Sequence, residues 1–254
     1  VVHRVLADLE TPVSVLARFR DDENVFLLES VEAGERFGRY SFLAIHPRGV
    51  FTVEQGRPFY TDGSGKRELP APEGAFTALR GLLEGIRPAA VPDLPPLFGG
   101  AIGYIGYETV GEFEKLPPPK PGLKGPECAF LITDEMIIFD NLHHTMMISV
   151  SVRPEEYQNL RAAYDHAVAR IGEIRETLRR PAPALEAVSG PAPQLHSNMS
   201  REEYMAMVEK GKQYICDGDI IQVVLSQKFT AKFHQPPIQL YRALRLVNPS
   251  PYTF

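Results

Sequence analysis

Ala129-Phe130-Leu131-Ile132-Thr133, Glu135-Met136-Ile137-Ile138-Phe139 and the run from Thr145 to Val152 follow one another closely, and they decide the fold class. Each is rich in β-branched and aromatic residues, so each predicts a strand. The last two are joined around Asp140-Asn141, residue types suited to a hairpin turn. Next, Tyr157, Leu160, Tyr164, Val168, Ile171 and Ile174 recur at helical spacing and mark one face of a long helix reaching about residue 179. Antiparallel strands followed by a covering helix make an α+β unit.

The same reading extends outward. Thr11-Pro12 is a helix start, with Thr as N-cap and Pro at the first helical position, and predicts a helix over 12–20. Val25 to Ser30 is an apolar run ending in polar groups. Tyr40 to Ile45 and Gly49 to Val53 predict further strands of an antiparallel meander. Phe76, Leu79, Leu82, Leu83 and Ile86 predict an amphipathic helix over 74–87. Residues 181–197 lack periodicity, hold four prolines, and read as a surface linker. They divide a domain at 1–180 from a second segment at 198–254. In that segment Ser200-Arg201-Glu202-Glu203 is a capping box and Gly218 ends its helix; a strand from Ile220 to about Phe233 and a helix near Ile238–Leu246 follow. No repeat of fixed period occurs.

Composition narrows the function classes. With 44% hydrophobic residues, 254 residues fill a substantial core. A net charge of -5, with 27 basic residues scattered among 32 acidic ones, provides no footprint for nucleic acid or an anionic membrane. No stretch approaches the roughly 18 apolar residues of a membrane span, and Val1-Val2-His3-Arg4 does not open a signal peptide. The two cysteines, Cys128 and Cys216, read as small buried thiols and fit a cytoplasmic protein. The missing initiator Met and the abrupt finish at Asn248 to Phe254 lead us to expect a fragment.

Most chemistry-bearing residue types have an ordinary reading. Gly99, Gly100, Gly103 and Gly106 do not have dinucleotide-loop spacing; glycines in a strand instead allow another backbone to approach closely. His143 and His144 are adjacent, so a strand would point them to opposite faces, unsuited to sharing a metal ion. Asp134, Glu135, Asp217 and Asp219 read as caps and turn residues. Two segments invite more. Glu29 and Ser30 end an apolar strand, where a scaffold presents polar groups to a small ligand. In Asn248-Pro249-Ser250-Pro251-Tyr252, two prolines fix φ and remove two donors, giving a rigid segment that suits either a stiff turn or a ligand clamp.

Taken in order, Thr11-Pro12-Val13-Ser14, Leu27-Leu28-Glu29-Ser30, Gly38-Arg39-Tyr40-Ser41-Phe42, Gly99-Gly100 through Tyr107, Gly218 through Gln227, and Asn248 through Tyr252 resemble the amino-terminal half of the anthranilate synthase component I family. The resemblance covers the whole chain. It implies stacked, mostly antiparallel β-sheets flanked by helices, with 198–254 as the incomplete start of a chorismate-binding domain. It implies the conversion of chorismate and ammonia to anthranilate and pyruvate, with glutamine supplying ammonia through an amidotransferase partner, component II. It also implies Mg2+, whose ligands, like the catalytic residues, lie beyond the equivalent of Phe254, so this chain by itself is expected to be inactive.

The resemblance further implies feedback inhibition by L-tryptophan, bound by Glu29, Ser30, Ser41, Asn248, Pro251, Tyr252 and Thr253. An indole suits an apolar and aromatic wall, and its ammonium suits carbonyls or a carboxylate such as Glu29. Thr253 departs from the larger apolar residue, often Met, expected there. Gln222 is expected at the active-site wall. Related isochorismate and salicylate synthases carry a Lys there that activates water, and Gln cannot act as a base, which favours ammonia as nucleophile. Gln222 is shared with aminodeoxychorismate synthase component I of the folate pathway, the nearest alternative. A stand-alone amino-acid-binding regulatory module is the alternative of another class.

Overall fold

Two five-stranded antiparallel sheets build the larger part of the protein, seen here as a computed structural model that describes residues 1–30, 38–84, 86, 88–89, 91–115, 125–185, 190–250 and 252–254. The first sheet contains β1 (Val2–Leu6), β2 (Phe26–Leu28), β3 (Tyr40–Ile45), β9 (Glu135–Asp140) and β10 (Thr145–Val150), in the order β1-β10-β9-β3-β2. The second contains β4 (Gly49–Glu54), β5 (Arg57–Asp62), β6 (Gly65–Glu68), β7 (Gly100–Ile105) and β8 (Cys128–Thr133), in the order β6-β5-β4-β8-β7.

The strands sort their side chains by alternation. Leu43, Ile45, Ile137, Phe139, Met146 and Ile148 leave one face of the first sheet and meet Val15 and Phe19 from α1 (Pro12–Arg18) and its C-cap, and Ala167, Ile171 and Ile174 from α3 (Leu160–Arg179). Phe42, Ala44, Met136, Ile138 and Met147 leave the other face, where Ala44 packs with Ile102 and Leu131 of the second sheet. The outer face of the second sheet, with Phe51, Val53, Cys128 and Ile132, is covered by Ala75 and Ala78 of α2 (Ala75–Leu83). Helix, sheet, sheet and helix thus form four layers, which explains why β3, β9 and β10 are apolar on both faces.

The chain crosses between sheets at two corners. His46-Pro47-Arg48 leads from β3 to β4, and Asp134 alone leads from β8 back to β9. Ion pairs brace both corners: Arg48 Nε is 2.8 Å from Asp134 and its Nη1 is 2.7 Å from Glu156. The segments 25–30, 40–45 and 49–53 were expected to form one meander, but β4 belongs to the second sheet; a single-residue switch of sheet at Asp134 has no local signature. Gly103 and Gly106 meet the close-approach expectation, since a Cβ would lie 1.9 Å from Ala129 O and 2.5 Å from Glu127 O respectively.

Other differences have local causes. The β5–β6 hairpin was not foreseen because Gly65–Glu68 is wholly exposed and polar; Asp62 Oδ1 accepts from Ser64 N at 2.9 Å and shapes its turn. α1 stops at Arg18 and α2 at Leu83, shorter than 12–20 and 74–87, with Glu84 already extended. The β9–β10 turn is Asn141 to His144, and His144 adopts φ 51° within it.

The structure divides into two compact units, Val1–Ala184 with Tyr241–Phe254, and Leu185–Leu240. Residues 241–254 therefore belong with the first unit, whereas the sequence reading ran the second segment from 198 to 254. In the smaller unit, α4 (Arg201–Asp217) carries the expected capping box, with Glu203 N donating to Ser200 Oγ at 3.1 Å and Ser200 N to Glu203 Oε2 at 2.7 Å. Gly218, at φ 80°, ends it. The strand expected from Ile220 to Phe233 is not formed: only Phe229–Thr230 (β12) pairs, with His196–Ser197 (β11). Cys128 is buried as expected, but Cys216 is exposed on α4, because the weak apolar stripe of this helix does not place it inward. Among the described residues no helix is long and apolar enough to cross a membrane.

Candidate functional site

The edge of the first sheet at β2 gathers several polar groups. Phe26↔Ala44, Leu27↔Leu43 and Leu28↔Phe42 set the β2–β3 register, and one further step brings Glu29 opposite Ser41. On its outer side Glu29 forms an isolated antiparallel bridge with Thr253, with Glu29 N to Thr253 O and Thr253 N to Glu29 O both 2.8 Å. Ser41, Glu29 and Thr253 thus form a row across the sheet, on one face by the antiparallel rule. Ser30 N donates to Ser41 Oγ at 3.2 Å, and Asn141 Nδ2 donates to the same oxygen at 3.3 Å.

The Glu29 carboxylate is buried, at 2% exposure. Its counter-charge comes from α5 (Pro237–Val247): Arg245 Nη2 donates to Oε1 at 2.7 Å and Tyr241 Oη donates to Oε2 at 2.8 Å. Residues four apart share a helix face, so one face of α5 reaches both oxygens. Burial, with the hydrogen bond to Glu29 and its negative charge adding to it, pushes the Tyr241 phenol well above its ordinary pKa and keeps it a donor. Three buried side-chain atoms lie here without a hydrogen-bond partner among the described residues: Ser30 Oγ, Thr253 Oγ1 and Arg245 Nε. Each unpaired buried group costs roughly 1–3 kcal/mol. Three in one place mark a site with unused bonding capacity.

Of the residues expected at a ligand site, Glu29, Ser30, Ser41 and Thr253 are brought together. Asn248 is exposed at the end of α5, where its N–H closes on Leu244 O at 2.8 Å, and Tyr252 is also exposed. Pro251 lies outside the described residues. Phe254 stacks on Phe26 with centroids 6.3 Å apart and an interplanar angle of 11°. Gln222 is exposed in the smaller unit. Tyr241 and Arg245 escaped the sequence reading, although a buried Glu at the end of an apolar strand requires a cation, and a Tyr and an Arg four apart on a helix were available.

Two other polar places occur in the larger unit. A cleft of about 590 Å³ is lined by Arg4, Arg39, Tyr40, Asp140, His143 and Met147, among others. Its guanidiniums are already engaged, Arg39 with Asp140 at 2.7 Å and Arg4 with Asp93 O at 2.6 Å. His143 lies 2.9 Å from Asp140 on the exposed turn, in keeping with a solvated hairpin edge. At the corner between the sheets, Glu135 sits between His46 Nδ1 at 2.8 Å and Arg170 Nε at 2.7 Å. Burial would raise the Glu135 pKa, but the hydrogen bonds from His46 and Arg170 outweigh it and lower it. The His46 pKa is raised, chiefly by its bond to Glu135 and against the effect of burial. Among the described residues no group of three or more His, Cys, Asp or Glu side chains is placed to hold a metal ion.

Comparison with known proteins gives this geometry its setting. Residues 23–254 match the model of the chorismate binding enzyme family, and the chain belongs to that family. It is 37% identical over 263 residues to anthranilate synthase component 1 of Acetivibrio thermocellus, covering 100% of this chain and 52% of that protein. It is 36% identical to the protein of the same name from Pseudomonas putida, covering 98% of this chain and 51% of the relative. The crystal structure of anthranilate synthase component I from Streptococcus pneumoniae TIGR4 superposes with a TM-score of 0.66 at 25% identity, covering 98% of this chain and 53% of that one. The chain spans about half the length of the curated relatives it matches.

Proposed function

We propose that this chain is the amino-terminal half of an anthranilate synthase large component, a cytoplasmic lyase that forms anthranilate and pyruvate from chorismate and ammonia. The observation that carries the proposal is the similarity along the whole chain to relatives of that name. Gln222 supports ammonia over water as the nucleophile, because an amide side chain supplies no general base for water. A glutamine amidotransferase, component II, is the proposed ammonia source, and Mg2+ the proposed cofactor.

The β2 edge is the proposed tryptophan feedback site. It is supported by the buried hydroxyls of Ser30 and Thr253, without hydrogen-bond partners among the described residues, at the paired edge of β2, and by Phe26 and Phe254, which supply aromatic surface there. Titration calorimetry on the full-length protein tests the site: Ser30→Ala is expected to weaken tryptophan about tenfold, the worth of one buried hydrogen bond. A folded protein that ignores tryptophan would remove the regulatory reading. Anthranilate fluorescence with chorismate, Mg2+ and ammonium tests the reaction: signal is expected from the full-length protein and none from residues 1–254, and aminodeoxychorismate as product would replace it with the folate-pathway alternative.

A further inference from the structure

Glu29 is the acidic residue one would first offer to the ammonium of an amino-acid ligand, yet both of its carboxylate oxygens are already engaged. Arg245 takes Oε1 and Tyr241 takes Oε2, inside a site where Glu29 is 2% exposed. An incoming ammonium would have to compete with the half-buried Arg245 guanidinium for a carboxylate that is itself closed off from solvent. Among the described residues the capacity left unused lies elsewhere, on Ser30 Oγ, Thr253 Oγ1 and Arg245 Nε.

The same contacts have a mechanical consequence. Glu29 is the point where three pieces of chain meet: its backbone binds Thr253 on both sides of the bridge, and its side chain binds α5 through residues 212 and 216 positions away. Tyr241 Oη also reaches Thr253 O at 3.5 Å, and the Tyr241 ring packs against the helix-side core. Anchoring α5 therefore fixes where the chain that follows it returns to the edge of β2.

We infer, resting on the tryptophan reading above, that Arg245 and Tyr241 are positioning residues of the effector site: they clamp Glu29 so that Thr253 is held against β2, and the ligand is bound by the Ser30 hydroxyl and by backbone groups of this edge, not by the Glu29 carboxylate. Glu29 is then a latch, and its charge matters to the ligand only through Arg245.

A double-mutant cycle read by tryptophan calorimetry on the full-length protein, with thermal melting in parallel, separates latch from receptor. Glu29→Gln leaves the half-buried Arg245 without its counter-charge, and Arg245→Met leaves the buried Glu29 carboxylate held by Tyr241 alone; each is expected to weaken tryptophan by about tenfold or more and to lower the melting temperature. The double variant removes both charges and is expected to regain affinity to within about threefold of the unmodified protein. Arg245→Lys, which keeps a charge but not the fork, is expected to fall between. A double variant that binds no better than Glu29→Gln alone would show that Glu29 meets the ligand and would overturn the inference while leaving the tryptophan site in place. Should Arg245→Met fail to fold, Tyr241→Phe deletes one hydroxyl and keeps the ring; unchanged tryptophan affinity in that variant would equally overturn the clamp. If the unmodified protein does not bind tryptophan although the melting cycle shows the Glu29–Arg245 coupling, the tryptophan reading fails, and the inference with it.

Discussion

Tyr40-Ser41-Phe42-Leu43-Ala44-Ile45 and Ile220-Ile221-Gln222-Val223-Val224-Leu225 have nearly the same local claim to be strands, and the two have opposite fates. The first is β3, hydrogen-bonded to β2 on one side and β9 on the other, with Leu43, Ala44 and Ile45 at 0% exposure. The second pairs with nothing among the described residues, and Ile221 and Val224 are 99% and 82% exposed. β-branched side chains stabilise a strand by packing on a pleated surface that a neighbour supplies, so the propensity is realised only where partners exist on both edges and both faces. The 40–45 segment lies between a helix layer and a second sheet; the 220–225 segment has α4 beside it, where a Cβ on Gly211 would come 3.2 Å from Val223 Cγ1.

The contrast can be broken or sharpened by substitution. The largest effect is expected from Leu43→Ala, which should destabilise the protein by roughly 2–5 kcal/mol in chemical denaturation, whereas Ile221→Ala in the 254-residue chain should change stability by no more than about 0.5 kcal/mol. Equal effects at the two positions would contradict the difference in packing. Next comes Gly103→Ala in the β7–β8 pair, where the added methyl would lie 1.9 Å from Ala129 O; a loss of about 1–3 kcal/mol is expected in the same assay, with backbone displacement as the means of relief.

The smallest effect concerns the corner that turns β3 towards β4. The folded His46 pKa is raised, so the network with Glu135 contributes stability that is fully present below the unfolded histidine value of 6.5 and is lost as pH rises through the folded value. The folded Glu135 pKa is lowered, so its contribution is present above its ordinary value of 4.5 and is lost as pH falls through the folded value. The gap in melting temperature between the unmodified protein and His46→Gln should therefore be widest near pH 5 to 6 and narrow towards pH 9. A gap that widens with rising pH would show that His46 acts in its neutral form.

The sequence by itself determined whatever depends on three or four neighbouring residues. The Thr11 cap, the Ser200 capping box, the Gly218 stop, the existence of α3 and the strands β3, β4, β8, β9 and β10 follow from side chains bonding to nearby backbone and from periodicity; the face expected for α3 was only partly right, because Ile171 and Ile174 are buried beside Ala163 and Ala167 whereas Leu160, Tyr164 and Val168 are exposed. The polar end of β2 at Glu29 and Ser30 was visible as a place where a ligand could meet the chain. Only the tertiary structure decided that Asp134 carries the chain from one sheet to the other, that 220–225 remains unpaired, and that Glu29 is balanced by Tyr241 and Arg245 from the far end of the sequence. Each of these depends on which distant segment supplies a backbone edge or a counter-charge. Such a partner leaves no mark on the local sequence, because its contribution arises from burial that exists only once the layers have closed.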